Sequence, residues 1–295
     1  MNLCDPGTIK DIMTVFGLSF RKEFGQNFLT DNATVERIAS SCSDGDVKTV
    51  LEIGAGCGSL THELSLLYDS VVAVEIDRGL IPLLKYTLES DRNVRIVNAD
   101  ITKTDIGELL GSAFDEGGVS VCANLPYYIT TPILLQLLES GLPFRHITVM
   151  IQAEVADRLC AAPGDAEYGS ITAYLNYYGT CSRLFEVPRD RFLPPPKVDS
   201  SVVRIDLYAD RPIKPKDEKL FFRVIRAAFG QRRKTLPNAL SAGIGEISKA
   251  EITACIEACG LPASIRGETL SAAQFAEISD RIADAISSGK DADNE

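Results

Sequence analysis

One segment constrains the fold of this chain more than any other, a buried strand that runs straight into glycines. Thr49 to Ile53 is apolar, Gly54, Gly56 and Gly58 follow at alternate positions, and a helical pattern occupies Leu60 to Leu67. Glycine lets the backbone turn sharply and lie close to a ligand, and a strand, glycine loop and helix in that order open a ligand-binding βα unit. The order then repeats. Spacing predicts strands at Val71 to Ile76, Val94 to Val97, Val119 to Ala123 and Ile147 to Ile151, with helices at Leu80 to Leu88 and Thr131 to Leu138 between them. Such alternation specifies an α/β fold with an open, largely parallel sheet.

From Ile171 the texture changes. Ile171 to Tyr178 and Ser201 to Leu207 read as strands joined without a helix, so they are expected to pair antiparallel at the sheet edge. Residues 1–208 are expected to form the catalytic domain, with a polar lead-in before Thr49, and residues 209–216 a proline-broken linker. Helical spacing at Leu220 to Phe229, Ile252 to Cys259 and Phe275 to Ile286 makes residues 217–286 a small helical domain, and residues 287–295 read as a frayed tail.

A chain of 295 residues, 45% hydrophobic and 24% charged, has enough apolar material for one large and one small domain. No apolar stretch approaches the roughly 18 residues of a membrane span, and the first 28 residues lack a signal-peptide core, so a cytoplasmic location is expected. The eight cysteines are scattered without CxxC spacing and read as reduced structural thiols. With His62 and His146 the only histidines, there is little material for a His-based triad or a zinc site, and no metal is expected. Net charge is −11, which argues against a general nucleic-acid binder, yet residues 189–234 hold 13 basic and 6 acidic residues, net +7, leaving −18 elsewhere. A basic island on an acidic chain suits one face for a polyanion, or else a solvated helix face.

The glycine loop lacks the third glycine of the dinucleotide fingerprint, because Ser59 stands at that position. A diphosphate fits it less well than a nucleoside carrying an amino-acid tail, and S-adenosylmethionine is that nucleoside. Glu75 closes the next strand, where an acid can accept both ribose hydroxyls, and Asp100 ends the third, placed to accept from an adenine amine. Asn124-Leu125-Pro126-Tyr127-Tyr128 follows the fourth strand on the same edge. Pro126 sets the exit direction of the chain and lacks an N–H. An exocyclic purine amine is a poor nucleophile because its lone pair is delocalised into the ring. The Asn124 carboxamide oxygen and the carbonyl of Leu125 or Pro126 could each accept one amine hydrogen and aim the lone pair at a methyl donor. Tyr127 would stack on the base.

With these motifs in place the chain resembles the ribosomal RNA adenine N6,N6-dimethyltransferases, in particular their bacterial 16S branch. The resemblance rests on Gln26-Asn27-Phe28-Leu29, Glu52 to Gly58, Glu75, Asn98-Ala99-Asp100, Asn124 to Tyr127, Phe192 to Ser200 and Phe229 to Leu236, in order over residues 20 to 280. It implies a class I, Rossmann-like methyltransferase with a seven-stranded sheet and a small helical C-terminal domain. It also implies transfer of four methyls from S-adenosylmethionine, leaving S-adenosylhomocysteine, to two adjacent adenosines near the 3′ end of 16S ribosomal RNA in the immature small subunit. By matched position the donor would be held by Asn27, Leu29, Gly54, Gly56, Glu75, Ile76, Asp100, Ile101 and Asn124. Catalysis would fall to Asn124, Leu125, Pro126, Tyr127 and Phe192, the two rings sandwiching a flipped adenine.

On the helical domain Lys219, Arg223 and Arg226 follow helical spacing, with Arg232, Arg233 and Lys234 just beyond. Lys197, Arg223, Arg226, Arg232, Arg233 and Lys234 are the expected RNA contacts of a protein that needs no partner subunit. Cys57 is unusual in such a loop, and its thiol is expected near the donor, open to alkylation. Two other readings remain, a macrolide-resistance type 23S ribosomal RNA adenine N6-methyltransferase and a non-catalytic assembly factor on the same fold; a nicotinamide-dependent dehydrogenase fails on the missing third glycine and the lack of an obvious catalytic His or Lys.

Overall fold

The computed structural model describes residues 1–21, 24–231 and 233–292. In chain order the elements are α1 (Pro6–Val15), β1 (Phe28–Leu29), α2 (Asn32–Cys42), β2 (Thr49–Ile53), α3 (Ser59–Ser65), β3 (Ser70–Glu75), α4 (Leu80–Thr87), β4 (Val94–Asn98), α5 (Ile106–Leu110), β5 (Val119–Asn124), α6 (Thr130–Glu139) and β6 (Phe144–Gln152). They continue with α7 (Ala153–Cys160), α8 (Ser170–Tyr178), β7 (Gly179–Val187), β8 (Phe192–Leu193), β9 (Ser200–Leu207), α9 (Glu218–Gly230), α10 (Leu236–Gly243), α11 (Lys249–Ala258) and α12 (Ala272–Ala292). The chain divides into two compact units, Met1–Ala156 with Cys181–Ala209, and Asp157–Thr180 with the chain from Asp210 onward.

The first unit is built on a seven-stranded sheet of order β4-β3-β2-β5-β6-β9-β7. The five strands from β4 to β6 run parallel, and β9 returns antiparallel to β6. All five residues of β2 are buried, as a central strand covered on both faces requires. Because β2 pairs with β3 on one side and β5 on the other, the direction of winding reverses between β2 and β5. The crevice beyond their C-terminal ends is where open α/β sheets take ligands. The loops after β2, β3, β4 and β5 all reach that edge.

The segment before Thr49 is more than a polar lead-in. Asp5 caps α1 through a 2.7 Å bond from the Thr8 N–H, and Pro6 starts the helix, where its missing N–H costs nothing. Ile9, Ile12 and Met13 of α1 then pack with Phe28, Cys57, Leu80 and Leu83.

The second unit holds the main correction to the sequence reading. Ile171 to Tyr178 is helical, as α8, and the strand is the next segment, β7, so β9 lies one strand in from the edge. The β-branched and tyrosine residues suggested a strand, but tertiary packing overrides that preference. Tyr174, Tyr177 and Tyr178 interlock with Phe221 and Phe222 of α9, at ring-centroid distances between 4.2 and 6.0 Å. Burying such rings is worth about 1.5–3 kcal/mol each. The helical region also contains α10, which the spacing did not reveal, and α12 runs on from Ser287 to Ala292, where a frayed tail was expected.

Among the described residues no helix is long and apolar enough to cross a membrane.

Candidate active site

Four strand ends of the first unit build one site. After β2 the backbone passes through Gly54, Gly56 and Gly58 with φ of 83°, 60° and 92°, a region L side chains rarely adopt. A Cβ at Gly58 would lie 3.1 Å from Thr87 Oγ1 and 3.2 Å from Leu88, so this glycine also permits close packing on α4. Gly58 caps α3, and Ser59 is its first residue, which accounts for the missing third glycine.

Glu75, at the end of β3, is 5% exposed. Its Oε2 accepts from the Gly56 N–H at 2.9 Å and its Oε1 from the Asp77 N–H at 2.8 Å. A carboxylate offers about four lone-pair sites, so two remain for incoming hydroxyls. Burial pushes Glu75 above the ordinary carboxylate range. Asp100, after β4, moves the other way: the Thr102 hydroxyl donates to it at 2.6 Å and Lys103 pairs with it at 3.1 Å, and these contacts hold its carboxyl low. Glu52, on β2 behind the loop, is 1% exposed and pushed up to about 8, chiefly by burial, so it is largely neutral at pH 7.

At the end of β5 the Asn124 Nδ2 donates to the Asn27 carbonyl at 3.3 Å, which turns the carboxamide and leaves Oδ1 as its acceptor. The Pro126 carbonyl already accepts from the Ile129 N–H and the Thr130 hydroxyl, both at 3.2 Å. Both of its lone pairs are therefore in use, whereas no donor among the described residues reaches the Leu125 carbonyl. The Leu125 side chain is 1% exposed and its N–H donates to Met150 O at 3.2 Å, which anchors that carbonyl to the sheet. Tyr127 donates or accepts a 2.6 Å hydrogen bond with Ser200 on β9, which fixes its ring.

Two adjoining hollows result. Asn27, Gly54, Gly56, Glu75, Ile76, Asn124, Leu125, Pro126 and Tyr127 line the first, together with Phe24 to Gln26 and Phe28. Ile53, Gly54, Val74, Ile76, Ala99, Asp100, Ile101 and Pro126 line the second with Ile129 and Ile133, and that lining is almost wholly apolar. A carboxylate with spare lone pairs beside bare glycine backbone, next to an apolar slot closed by Asp100, suits a nucleoside with an amino-acid tail. The residues fit the methyl donor inferred from the sequence. Among the described residues no group of three or more His, Cys, Asp and Glu is placed to hold a metal ion.

Several expected residues lie elsewhere. Leu29 and Phe192 pair backbone to backbone in the short β1–β8 ladder, and both side chains sit in the hydrophobic core at 3% and 4% exposure. The Phe192 ring is thus no open stacking face here. Cys57 is not exposed to the donor: its side chain turns into the core beneath α1 and α4, 2% exposed, and burial raises its pKa. That thiol is protonated and shielded, contrary to the expected sensitivity to alkylation. All eight cysteines are free.

In the second unit Arg223 is engaged by Glu246 through two bonds of 2.7 and 2.8 Å, so it is not an open cation. Arg226, Arg233 and Lys234 are exposed, as is Lys197 in the first unit. Arg232 lies outside the described residues.

Asp77 was missed. It is 2% exposed and accepts from Gln26 Nε2 at 2.9 Å, from the Gly79 N–H at 2.9 Å, and from Arg21 at 3.3 Å. This carboxylate joins the Gln26 segment to the Glu75 loop. The only local signal was a second acid two residues after the first.

The family model for ribosomal RNA adenine dimethylases matches residues 17–284. Ribosomal RNA small subunit methyltransferase A of Geobacillus thermodenitrificans is 42% identical over 284 residues, covering 95% of this chain and 97% of that protein. The protein of the same name from Bacillus mycoides is 43% identical over the same spans. Among solved structures, a dimethyladenosine transferase from Plasmodium falciparum superposes with a TM-score of 0.74 at 23% identity, covering 85% of this chain and 95% of that one. The 23S rRNA methyltransferase ErmE gives 0.68 at 24% identity, covering 87% and 100%. Likeness at that identity establishes the fold, a class I methyltransferase sheet.

Proposed function

The chain belongs to the ribosomal RNA adenine dimethylase family, and from that premise we propose how its site works and on what. It is an enzyme that dimethylates adenine in 16S ribosomal RNA and takes its methyl groups from S-adenosylmethionine. The observation that carries the reading is the pair of acceptors on residues that line the hollow after β5: Asn124 Oδ1, released by the bond of its amide nitrogen to Asn27, and the Leu125 carbonyl.

S-adenosylmethionine supplies an electrophilic methyl on a sulfonium centre. Glu75 would hold the ribose hydroxyls, Gly54 and Gly56 would offer bare backbone to the tail, and Ile76, Asp100 and Ile101 would take the adenine. Asn27 supports the Asn124 amide, and Leu29 fixes the Asn27 segment from the core. In the first transfer the target amine would give one hydrogen to Asn124 and one to Leu125, and in the second its remaining hydrogen to one of them. This draws the nitrogen towards tetrahedral and points the lone pair at the methyl. Negative dipoles already in place stabilise the positive charge that develops there. Each time the S–CH3 bond would break as the N–CH3 bond forms, S-adenosylhomocysteine would leave, and the methylated nitrogen would lose one proton to solvent. Pro126 holds the segment rigid, Tyr127 stacks on the extruded base, and Phe192 braces the β1–β8 ladder beneath.

The substrate form is two adjacent adenosines near the 3′ end of 16S RNA in the immature small subunit, met by a cytoplasmic monomer. Residues 217–286 and Lys197 make the phosphate contacts. Overall acidity disfavours naked RNA and suits an assembled particle. Neutralising Arg226, Arg233 and Lys234 together should weaken particle binding and reduce the slope of log K against log salt by roughly one per lost phosphate contact, with affinity for S-adenosylhomocysteine unchanged. Arg223→Ala alone should barely move that slope, because Glu246 already neutralises Arg223. Equilibrium binding over a salt series separates the two cases.

Labelled methyl transfer to immature small subunits, to large subunits and to protein-free RNA tests the reading. Label is expected in small subunits. Label chiefly in large-subunit RNA would transfer the assignment to the 23S methyltransferases, and binding without label would make the chain a non-catalytic assembly factor.

A further inference from the structure

Tyr127 and Tyr128 are neighbours in sequence but divide in space. Tyr127 lines the hollow with Gly54, Glu75 and Asn124, its hydroxyl tied to Ser200. Tyr128 lines neither hollow and is 56% exposed. Its ring lies along the backbone of Gly25, where a Cβ would meet its Cε1 at 3.4 Å and its Cδ1 at 3.5 Å. Partial burial, and then the charges of Asp100 and Glu75, raise its pKa. No described residue stacks on the ring or bonds its hydroxyl.

Single exposed aromatic rings are common on protein surfaces and need no explanation by themselves. This one packs on Gly25, which lines the hollow together with Tyr127, and follows Tyr127 directly in the chain. When one base of a stacked pair is extruded, its neighbour loses a stacking partner, and a fixed aromatic ring can replace it at little cost in side-chain entropy. Stacking on tyrosine accepts the face of any base.

We propose that Tyr128 is the stacking platform for the nucleotide adjacent to the extruded adenosine, a subsite outside the catalytic hollow. This rests on the reading of the site as an RNA adenine methyltransferase with a paired target. Whichever adenosine occupies the hollow, the flanking base lies on Tyr128, which holds the strand open while the amine is aligned at Asn124 and Leu125.

The test uses the full chain as wild type, Tyr128→Ala and Tyr128→Phe, with immature small subunits as substrate and S-adenosylhomocysteine as the probe of the donor site. Tyr128→Ala should raise KM for the particle about tenfold, the scale of one lost base–aromatic stack, with kcat little changed. Tyr128→Phe should restore KM, since the ring and not the hydroxyl does the work. S-adenosylhomocysteine affinity should stay within about twofold in all three. An unchanged KM in the alanine variant would overturn the proposal, and so would a matching loss of S-adenosylhomocysteine affinity, which would place Tyr128 in the donor site. Absence of methyl transfer by the wild type would instead defeat the underlying reading.

Discussion

Asn124→Ala is expected to lower methyl transfer by about 10²–10³ while particle binding is retained, the scale seen when one oriented oxyanion-hole group is deleted. The loss falls on kcat because the amine needs both acceptors only as its nitrogen becomes tetrahedral. Ground-state stacking on Tyr127 does not require the amide. A second consequence distinguishes this from general disruption of the loop. The Asn124 amide nitrogen bonds the Asn27 carbonyl at 3.3 Å, so the variant also loosens the segment over the donor. S-adenosylhomocysteine affinity should therefore fall, but by much less than the rate. Single-turnover transfer with enzyme in excess, alongside calorimetry, gives both numbers.

Glu75→Ala is expected to weaken S-adenosylhomocysteine binding by about 10²-fold or more, because hydrogen bonds to a charged acceptor contribute roughly 1.5–3 kcal/mol each. The same carboxylate accepts from Gly56 and Asp77, and each buried N–H left without an acceptor costs about 1–3 kcal/mol, so Tm should also fall. Glu75→Gln would not rescue it. An amide offers one oxygen and one donor, and the donor would face an N–H. In the wild type the pH dependence has a definite sign. Glu75 must be ionised to accept ribose hydroxyls, and burial raises its pKa. Donor affinity should be full above that raised pKa and decline as pH falls through it, earlier on acidification than an exposed glutamate near 4.3 would allow. Asp100, held low by Thr102, stays ionised over the same interval, so the decline belongs to Glu75. Calorimetry over a pH series tests the sign, and affinity that rises on acidification would contradict it.

The parts legible in the sequence were those set by local chemistry. The strand, glycine loop and helix could be placed because glycine alone tolerates the backbone at Gly54, Gly56 and Gly58. Glu75, Asp100 and Asn124 could be placed because each ends a parallel strand, and parallel strands bring their ends to one edge. Contacts between distant segments were not legible. Ile171 to Tyr178 carries strand-forming residues and folds as a helix because three of its tyrosines find phenylalanines about 45 residues later. The resemblance gave Phe192 a stacking role, whereas its residue type alone favoured the core, and its partners are Leu29 and the core. Arg223 looked like an open cation until Glu246, beyond a further helix, came into contact with it. Asp77 shows the same limit within the site, since only the fold reveals that Gln26 and Arg21 reach it.

The measurement closest to the central claim is the identity and position of the product. Small subunits lacking the modification would be incubated with S-adenosylmethionine and either wild type or Asn124→Ala, and the 16S RNA digested and read by mass spectrometry. The account predicts N6,N6-dimethyladenosine at two adjacent adenosines near the 3′ end with the wild type, and a trace or none with the variant. Dimethyladenosine formed equally by both proteins, or methyl groups on any atom other than adenine N6, would contradict it.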